Sequence, residues 1–205
     1  WRDGLPKLDR IEFRPIASQQ TRFSSVRSGD IDIFQATGAD AISDAEENDL
    51  QHVVAVEDDE TSSGSHTILF NTEVEPLDDV RVRQALRAAI DREAVVNLAW
   101  GEDAPVAVSP LGAGDPAVAE ADWGEYDPEL AKEILAEVGD IGPLTLVHYA
   151  GDELRERTAQ LVAEQWRAVG VETNVEAMDS TAVISSVGAG DFTTAVYVIL
   201  PVRDR

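Results

Sequence analysis

Residues 67–96 read TILFNTEVEPLDDVRVRQALRAAIDREAVV, and this stretch has the strongest local pattern in the chain. It opens with an apolar run suited to a strand. Apolar residues then recur at i, i+4, i+7 and i+8 counted from Val82, a spacing that lines one face of a helix. Asp78 or Asp79 is expected to cap this helix, and Asp91 to cap a second one directly after it. The stretch therefore predicts a strand, a turn and two consecutive helices.

The rest of the chain alternates short strands and helices in mixed order, which predicts an α/β or mixed α+β fold. Leu98 and Leu130 are expected on buried helix faces, with Ser180 and Gly188 at the two ends of the last helix. Residues 101–125 contain three prolines and predict a long loop. Strands are predicted over 11–16, 31–34, 52–56, 66–71, 144–149, 171–177 and 193–200, and helices over 19–28, 39–49, 127–138, 152–169 and 180–187.

The composition is strongly acidic. The 205 residues include 40 Asp and Glu against 16 Lys and Arg, a formal net charge of −24. Nucleic acid is therefore excluded as a partner, because phosphate binding needs a basic patch, and anionic membrane surfaces are disfavoured for the same reason. Only Lys7 and Lys132 are lysines. Many carboxylates with few lysines are typical of proteins from salt-loving organisms, where salt screens the self-repulsion.

A search for reactive groups finds no catalytic constellation. The three histidines, His52, His66 and His148, have no metal-ligand spacing and are interpreted as ordinary strand or loop residues. Gly64-Ser65 lacks the second glycine of a nucleophile elbow. There is no cysteine and no apolar run long enough to span a membrane. No catalytic residue, metal site or cofactor is therefore predicted.

Four motifs together resemble one known family. The first is an F-N-T strand, residues 70–72, followed by P-L-D-D-V-R-V-R-Q-A-L at 76–86 and A-I-D-R-E at 89–93. Y-D-P-E-L-A-K-E-I-L at 126–135, W-R-A-V-G-V at 166–171 and G-D-F at 190–192 follow in the family's order. The chain resembles the family 5 extracellular solute-binding proteins, the dipeptide, oligopeptide and nickel receptors of ABC importers.

The resemblance implies a two-lobed, type II periplasmic-binding-protein-like fold that closes on its ligand about a hinge. Residues 1–70 would form part of the first lobe and residues 71–205 part of the second, with the hinge near Phe70-Asn71. Members of the family are about twice this length or more. The chain also begins with Trp1 and shows no signal peptide. An internal fragment of a longer receptor is therefore expected.

The resemblance also suggests ligand-binding residues, namely Phe70, Asn71, Trp123, Tyr197 and Asp204. Trp123 would either line the cleft or pack beneath it. In the family's peptide binders an aromatic residue and an aspartate follow the strand after G-D-F, and the aspartate meets the ligand's amino group. Here that pattern is out of register, and Asp204 is the shifted candidate.

The expected function is capture of a peptide or similar small solute and its delivery to a membrane permease, without catalysis or a cofactor. The protein would be a monomer outside the cell, tethered to or near the outer face of the cytoplasmic membrane. Two alternatives stay open. A hydrolase on an α/β scaffold would need a nucleophile and base in one pocket, and a sensory binding domain would be joined to a signalling partner.

Overall fold

A four-stranded sheet organises the larger part of the chain. In a computed structural model, which describes residues 4, 7–16, 18–36, 40–52, 65–101, 104–107 and 124–199, the strands are β1 (Ser65–Phe70), β2 (Leu144–Tyr149), β3 (Thr173–Met178) and β4 (Thr194–Ile199). Their order across the sheet is β1-β4-β2-β3. β2 runs parallel to both β3 and β4, whereas β1 is antiparallel to β4. The predicted mixed α/β class is confirmed.

Seven helices are described, and two of them begin at the caps predicted at Asp79 and Asp91. They are α1 (Gln19–Ser28), α2 (Asp40–Glu47), α3 (Val80–Ala88), α4 (Arg92–Trp100), α5 (Pro128–Val138), α6 (Glu153–Ala168) and α7 (Ser180–Ala189). The side chains of Asp79, Asp91, Asp127 and Asp152 each accept a backbone hydrogen bond at the start of a helix, which satisfies N–H groups that have no partner within the helix. None of the described helices is long and apolar enough to cross a membrane.

The chain divides into two compact units, residues 1–36 and 37–205. In the first unit Ser18 caps the start of α1 and Gly29 caps its end, with a φ of 79° that glycine adopts without strain. Phe23 is buried, and its ring meets the ring of Phe34 edge-on with centroids 4.8 Å apart.

The strands predicted over 11–16 and 31–34 are wrong. Both segments lie in the first unit and have no regular secondary structure. Their apolar side chains are largely exposed, Phe13 by 89% and Ile33 by 88%. A strand needs a neighbouring strand for its backbone hydrogen bonds, and neither segment pairs with a strand in the part of the chain described. Alternation along a sequence cannot supply that partner.

The core of the second unit lies between the sheet and the helices around Trp166. This indole is fully buried, and its Nε1 donates to the carbonyl of Leu86 at 2.9 Å. The bond ties α6 to α3 at the centre of one apolar cluster. The other members include Leu77, Val82, Leu144, Leu146, Val162, Val171 and Val196.

Four details of the helix predictions are wrong. Leu98 is 61% exposed and Leu130 is 42% exposed, while Ala99 and Ala131 are buried in their helices. Where two helices approach closely, the smaller side chain fits the contact. The last helix is capped by Asp179, not Ser180, since Asp179 accepts from two backbone N–H groups. It also runs past Gly188 and ends at Gly190, which has a φ of 73°.

The other predicted segments fall near their expected positions. α2 lies within 39–49, while residues 53–56 of the third predicted strand and most of the predicted loop 101–125 lie outside the described residues. The predicted lobe boundary between residues 70 and 71 coincides with the end of β1, whose six residues pair with β4 in the same sheet. The division into lobes at this point stays a prediction.

Candidate ligand-binding site

The carboxyl ends of three parallel strands meet at one edge of the sheet, where the amino end of β1 joins them. The register pairs Ser65 with Ile199 and Tyr149 with Met178. We call this side of the sheet the carboxyl edge. In open α/β sheets ligands bind outside the carboxyl ends of the strands. A ligand is therefore expected to bind at the carboxyl edge.

Two tyrosines lie side by side at the carboxyl edge. Tyr149 ends β2 and Tyr197 lies in β4, and the pairing of Val147 with Ala195 brings both to the same level of the sheet. Their ring centroids are 6.1 Å apart. Burial, reinforced by the neighbouring Tyr197, raises the pKa of Tyr149, so its hydroxyl keeps its proton at neutral pH. The pair supplies flat apolar surface with hydroxyl groups, a combination common in binding sites.

An arginine lies over this aromatic surface. The guanidinium carbon of Arg155 is 4.5 Å from the centroid of the Tyr149 ring, within the range of a cation–π contact. The turn from β2 into α6 fixes the arginine, because Asp152 caps α6 by accepting from the backbone N–H of Arg155 at 3.0 Å. The same carboxylate pairs with Nη1 of Arg155. One aspartate thus both starts the helix and orients the guanidinium.

A histidine and a tryptophan form a second aromatic contact at the carboxyl edge, on the other face of the sheet, since His66 pairs with Val198 and successive side chains of a strand alternate faces. His66, at the amino end of β1, has its ring centroid 4.3 Å from that of Trp100 in α4. The indole Nε1 of Trp100 donates to Thr158 at 3.3 Å. Burial against these neighbours lowers the pKa of His66 to about 4; Arg155 lowers it further and Asp152 opposes the shift. The residue as a whole is nevertheless exposed, and its imidazole is neutral at pH 7.

The opposite side of the sheet, the amino edge, is held by Asn71. Its side-chain Nδ2 donates to the carbonyls of Gly190 and Phe192, both at 2.9 Å. Its Oδ1 accepts from the backbone N–H of Glu73 at 3.1 Å, and its own N–H donates to Thr193. The asparagine of the F-N-T motif therefore binds the G-D-F motif. Both amide hydrogens are used by the protein itself.

Phe70 also lies at the amino edge, where it pairs with Thr194. Its ring stacks on Trp166 with centroids 6.1 Å apart and an angle of 29° between the planes. This contact directs the phenyl group into the core cluster.

A shallow crevice also lies near the amino ends of β2 and β3. It is lined by apolar side chains and by the turns at Gly139, Gly142 and Gly170, with Asp140 and Glu172 as its charged groups. Its lining contains no aromatic side chain. Binding sites combine apolar or aromatic walls with a few placed polar groups, so the carboxyl edge is the stronger candidate.

The structure separates the five predicted ligand residues. Tyr197 lies at the carboxyl edge, whereas Phe70 and Asn71 lie at the amino edge. Trp123 and Asp204 lie outside the described residues. Ligand contact stays a prediction for all five. Sequence reasoning missed Tyr149, Arg155 and Trp100, and it treated His66 as an ordinary strand histidine.

No group of three or more potential metal ligands occurs among the described residues. At the carboxyl edge, the side chains found are aromatic or hydrogen-bonding groups suited to holding a solute. The sheet order and the helices on it give a fold of the periplasmic-binding-protein type. Solved structures of that class share the fold.

Two solved structures illustrate the similarity. The oligopeptide-binding protein AppA from Bacillus subtilis, solved in complex with a nonapeptide, matches with a TM-score of 0.75 at 24% identity, over 91% of this chain and 40% of that one. The dipeptide-binding protein from Pseudoalteromonas sp. SM9913, in complex with Met-Leu, matches with a TM-score of 0.68 at 22% identity, over 89% and 36%. At these identities the likeness concerns the fold.

Sequence comparison establishes the family. Residues 1–201 match the family described as bacterial extracellular solute-binding proteins, family 5 middle, and the chain belongs to this family. The glutathione-binding protein GsiB of Pectobacterium atrosepticum is 31% identical over 183 residues, covering 88% of this chain and 35% of the relative. The chain thus spans about a third of the length of such relatives. The resemblance read from the motifs is confirmed.

Proposed function

We propose that the protein containing this chain is the solute-binding receptor of an ABC importer and that it captures peptides or similar small solutes. The observation that supports this proposal is the set of aromatic and hydrogen-bonding side chains at the carboxyl edge. It occurs in a chain that belongs to a family of extracellular solute-binding proteins. Relatives bind glutathione, a nonapeptide and the dipeptide Met-Leu, all of which contain peptide bonds. A peptide-like solute is the chemistry that these three share.

In this proposal the ligand is held between two lobes that close about a hinge. Tyr149, Tyr197 and Trp100 offer apolar surface for burial, and Arg155 and the tyrosine hydroxyls offer directed hydrogen bonds. The receptor would act outside the cytoplasmic membrane, on or near its outer face, as a monomer that passes its solute to the permease. No covalent step is part of this function.

The acidic composition supports a further part of the proposal, a salt-rich environment. A net charge of −24 destabilises the folded state by self-repulsion, which molar salt screens over a few ångströms. The unfolding temperature of the complete gene product is therefore expected to rise steeply between low and molar salt. A flat response would contradict adaptation to salt without affecting the transport proposal.

The transport proposal is tested on the complete gene product purified natively in high salt. Native mass spectrometry should show a co-purifying peptide mixture that leaves on partial unfolding, and calorimetry should then show rebinding of unblocked di- and tripeptides. An empty protein that binds none of these peptides, or that hydrolyses peptide or ester probes, would overturn it.

A further inference from the structure

The long side of β1 that faces away from β4 carries unused backbone hydrogen-bonding groups. The N–H of Asn71, one step beyond Phe70 in the register, donates to the carbonyl of Thr193 directly opposite. Hydrogen-bonded and non-hydrogen-bonded residues alternate along an antiparallel pair, so His66, Ile68 and Phe70 turn their N–H and C=O groups away from β4. We call this the outer side of β1. Among the described residues these groups have no hydrogen-bond partner.

The composition of β1 leaves its outer side unprotected against pairing. Its six residues, S-H-T-I-L-F, include no proline and no charge at pH 7, where the imidazole of His66 is neutral. The register with β4 is continuous from one end of the strand to the other, without a bulge. Ile68 and Phe70 are half-buried and pack against the core cluster. Native proteins rarely leave such a strand open, because its free backbone groups are a template for another strand.

The strand at the other end of the sheet, β3, has a protected outer side. The N–H of Leu144 donates to the carbonyl of Glu172, so the alternation along β3 turns the carbonyl of Thr173 away from the sheet. Arg167 covers this carbonyl with both Nε and Nη2, and the exposed Glu176 adds a charge further along the strand. Charged side chains and covered backbone groups prevent pairing at the margin of a sheet. Neither is found on β1 among the described residues.

We propose that the outer side of β1 binds a further β-strand of the same polypeptide, from the part of the gene product outside residues 1–205. The chain spans about a third of the length of its relatives, and a protein of that length has room for such a strand. A second copy of the chain fits less well, because each copy carries a net charge of −24 and the two would repel each other.

The structure also defines the chemistry of this added strand. It would be a segment of about five residues or more, matching the length of β1. Apolar side chains at every second position would cover Ile68 and Phe70 and extend the core cluster. This inference does not depend on which solute the receptor binds.

Hydrogen exchange on the complete gene product, resolved to single amides, tests the proposal. The amides of Thr67 and Leu69 point towards β4 and provide the reference for a paired strand. Those of His66, Ile68 and Phe70 should be protected like the reference, and exchange at least about 100-fold more slowly than unstructured amides. Exchange at the unstructured rate would overturn the proposal. Protection that appears only when dimers form, or only when peptide is bound, would identify another occupant and overturn it as well.

Two proline substitutions give a second test with a matched control. Proline removes an N–H, which an open strand tolerates and a paired strand does not. Ile68 and Val175 are both β-branched, both half-buried against the core cluster, and both turn their N–H away from the neighbouring strand. Ile68→Pro should raise the equilibrium constant of unfolding about 10- to 100-fold more than Val175→Pro, because it alone breaks a ladder bond. Equal effects would show that the outer side of β1 is unpaired.

Cross-linking identifies the source of the strand. Side chains directly opposite on neighbouring strands lie about 5 Å apart, within reach of a photoreactive leucine analogue placed at Leu69. Mass spectrometry of the digested monomer should find links from this position to a peptide outside residues 1–205. Links confined to residues 1–205 would overturn the origin assigned to the strand.

Discussion

The two edges of the sheet differ in how completely the hydrogen-bonding groups of a central polar side chain are used. At the amino edge, Asn71 uses both amide hydrogens and its carbonyl oxygen to join the start of the β1–α3 connection to the turn before β4. At the carboxyl edge, Asp152 orients Arg155, but the buried Nε of Arg155 has no hydrogen-bond partner among the described residues. A saturated polar group stabilises the fold, whereas a buried donor without a partner costs the folded state its lost hydrogen bonds to water.

Removal of the Asn71 side chain is expected to have the largest effect, a loss of stability at the amino edge. Asn71→Ala should lower the free energy of unfolding by about 3 kcal/mol, because three side-chain hydrogen bonds are lost and two carbonyls are left without their donor. Urea unfolding of the complete gene product measures the loss, and hydrogen exchange should localise it to β1 and β4. Asn174→Ala, at an exposed position of β3, is the matched control. Equal effects of the two substitutions would show that Asn71 does not hold this edge.

A second substitution tests the position of Phe70, which sequence reasoning placed among the ligand-binding residues. Phe70→Ala should cost about 2–3 kcal/mol of stability, since it removes a ring stacked on Trp166 in the core cluster. Affinity for peptides should change little. Phe13→Ala, which truncates a ring that is 89% exposed, is the control and should be nearly neutral. A loss of affinity at unchanged stability would instead place Phe70 against the ligand.

Local chemistry made most of the larger unit predictable from sequence. The helix caps at Asp79 and Asp91 were identified because a capping carboxylate acts on neighbours two or three residues away. The strand positions of the sheet followed from runs of apolar residues. The failures at 11–16 and 31–34 concern strands whose existence depends on a distant partner.

The candidate site was harder to predict, because its parts are distant in sequence. Tyr149 and Tyr197 come together through strand order and register, and His66 meets Trp100 of a distant helix. No spacing in the sequence reveals these contacts. Arg155 resembled any other arginine of an amphipathic helix until its neighbours were known. One signal was available: residues that directly follow buried parallel strands collect at one edge of the sheet. Applied to the end of β2, that rule points to Tyr149 and Asp152.

The smallest expected effect concerns His66, because its side chain is exposed and solvent screens much of its pKa shift. It tests how closed the carboxyl edge is. The pKa of His66 is about 4 in the folded protein, against an ordinary value near 6.5 in the unfolded chain. Between these values the unfolded chain binds a proton that the folded protein does not. The stability that this histidine contributes is therefore complete above pH 6.5 and declines as the pH falls towards 4. Arg155, Asp152 and Trp100 are the groups that surround it.

Unfolding midpoints measured from pH 7.5 to 4 should therefore fall less steeply in His66→Gln than in wild type, with the difference confined to this window. His52→Gln, at an exposed position, is the control and should follow the wild-type curve. The shift arises mainly from burial, so a solute that covers the ring should steepen the wild-type dependence, since desolvation disfavours the charged imidazole. If His66→Gln and wild type have parallel curves both with and without peptide, the ring is solvated as in the unfolded chain. The contact with Trp100 would then not shield it from water.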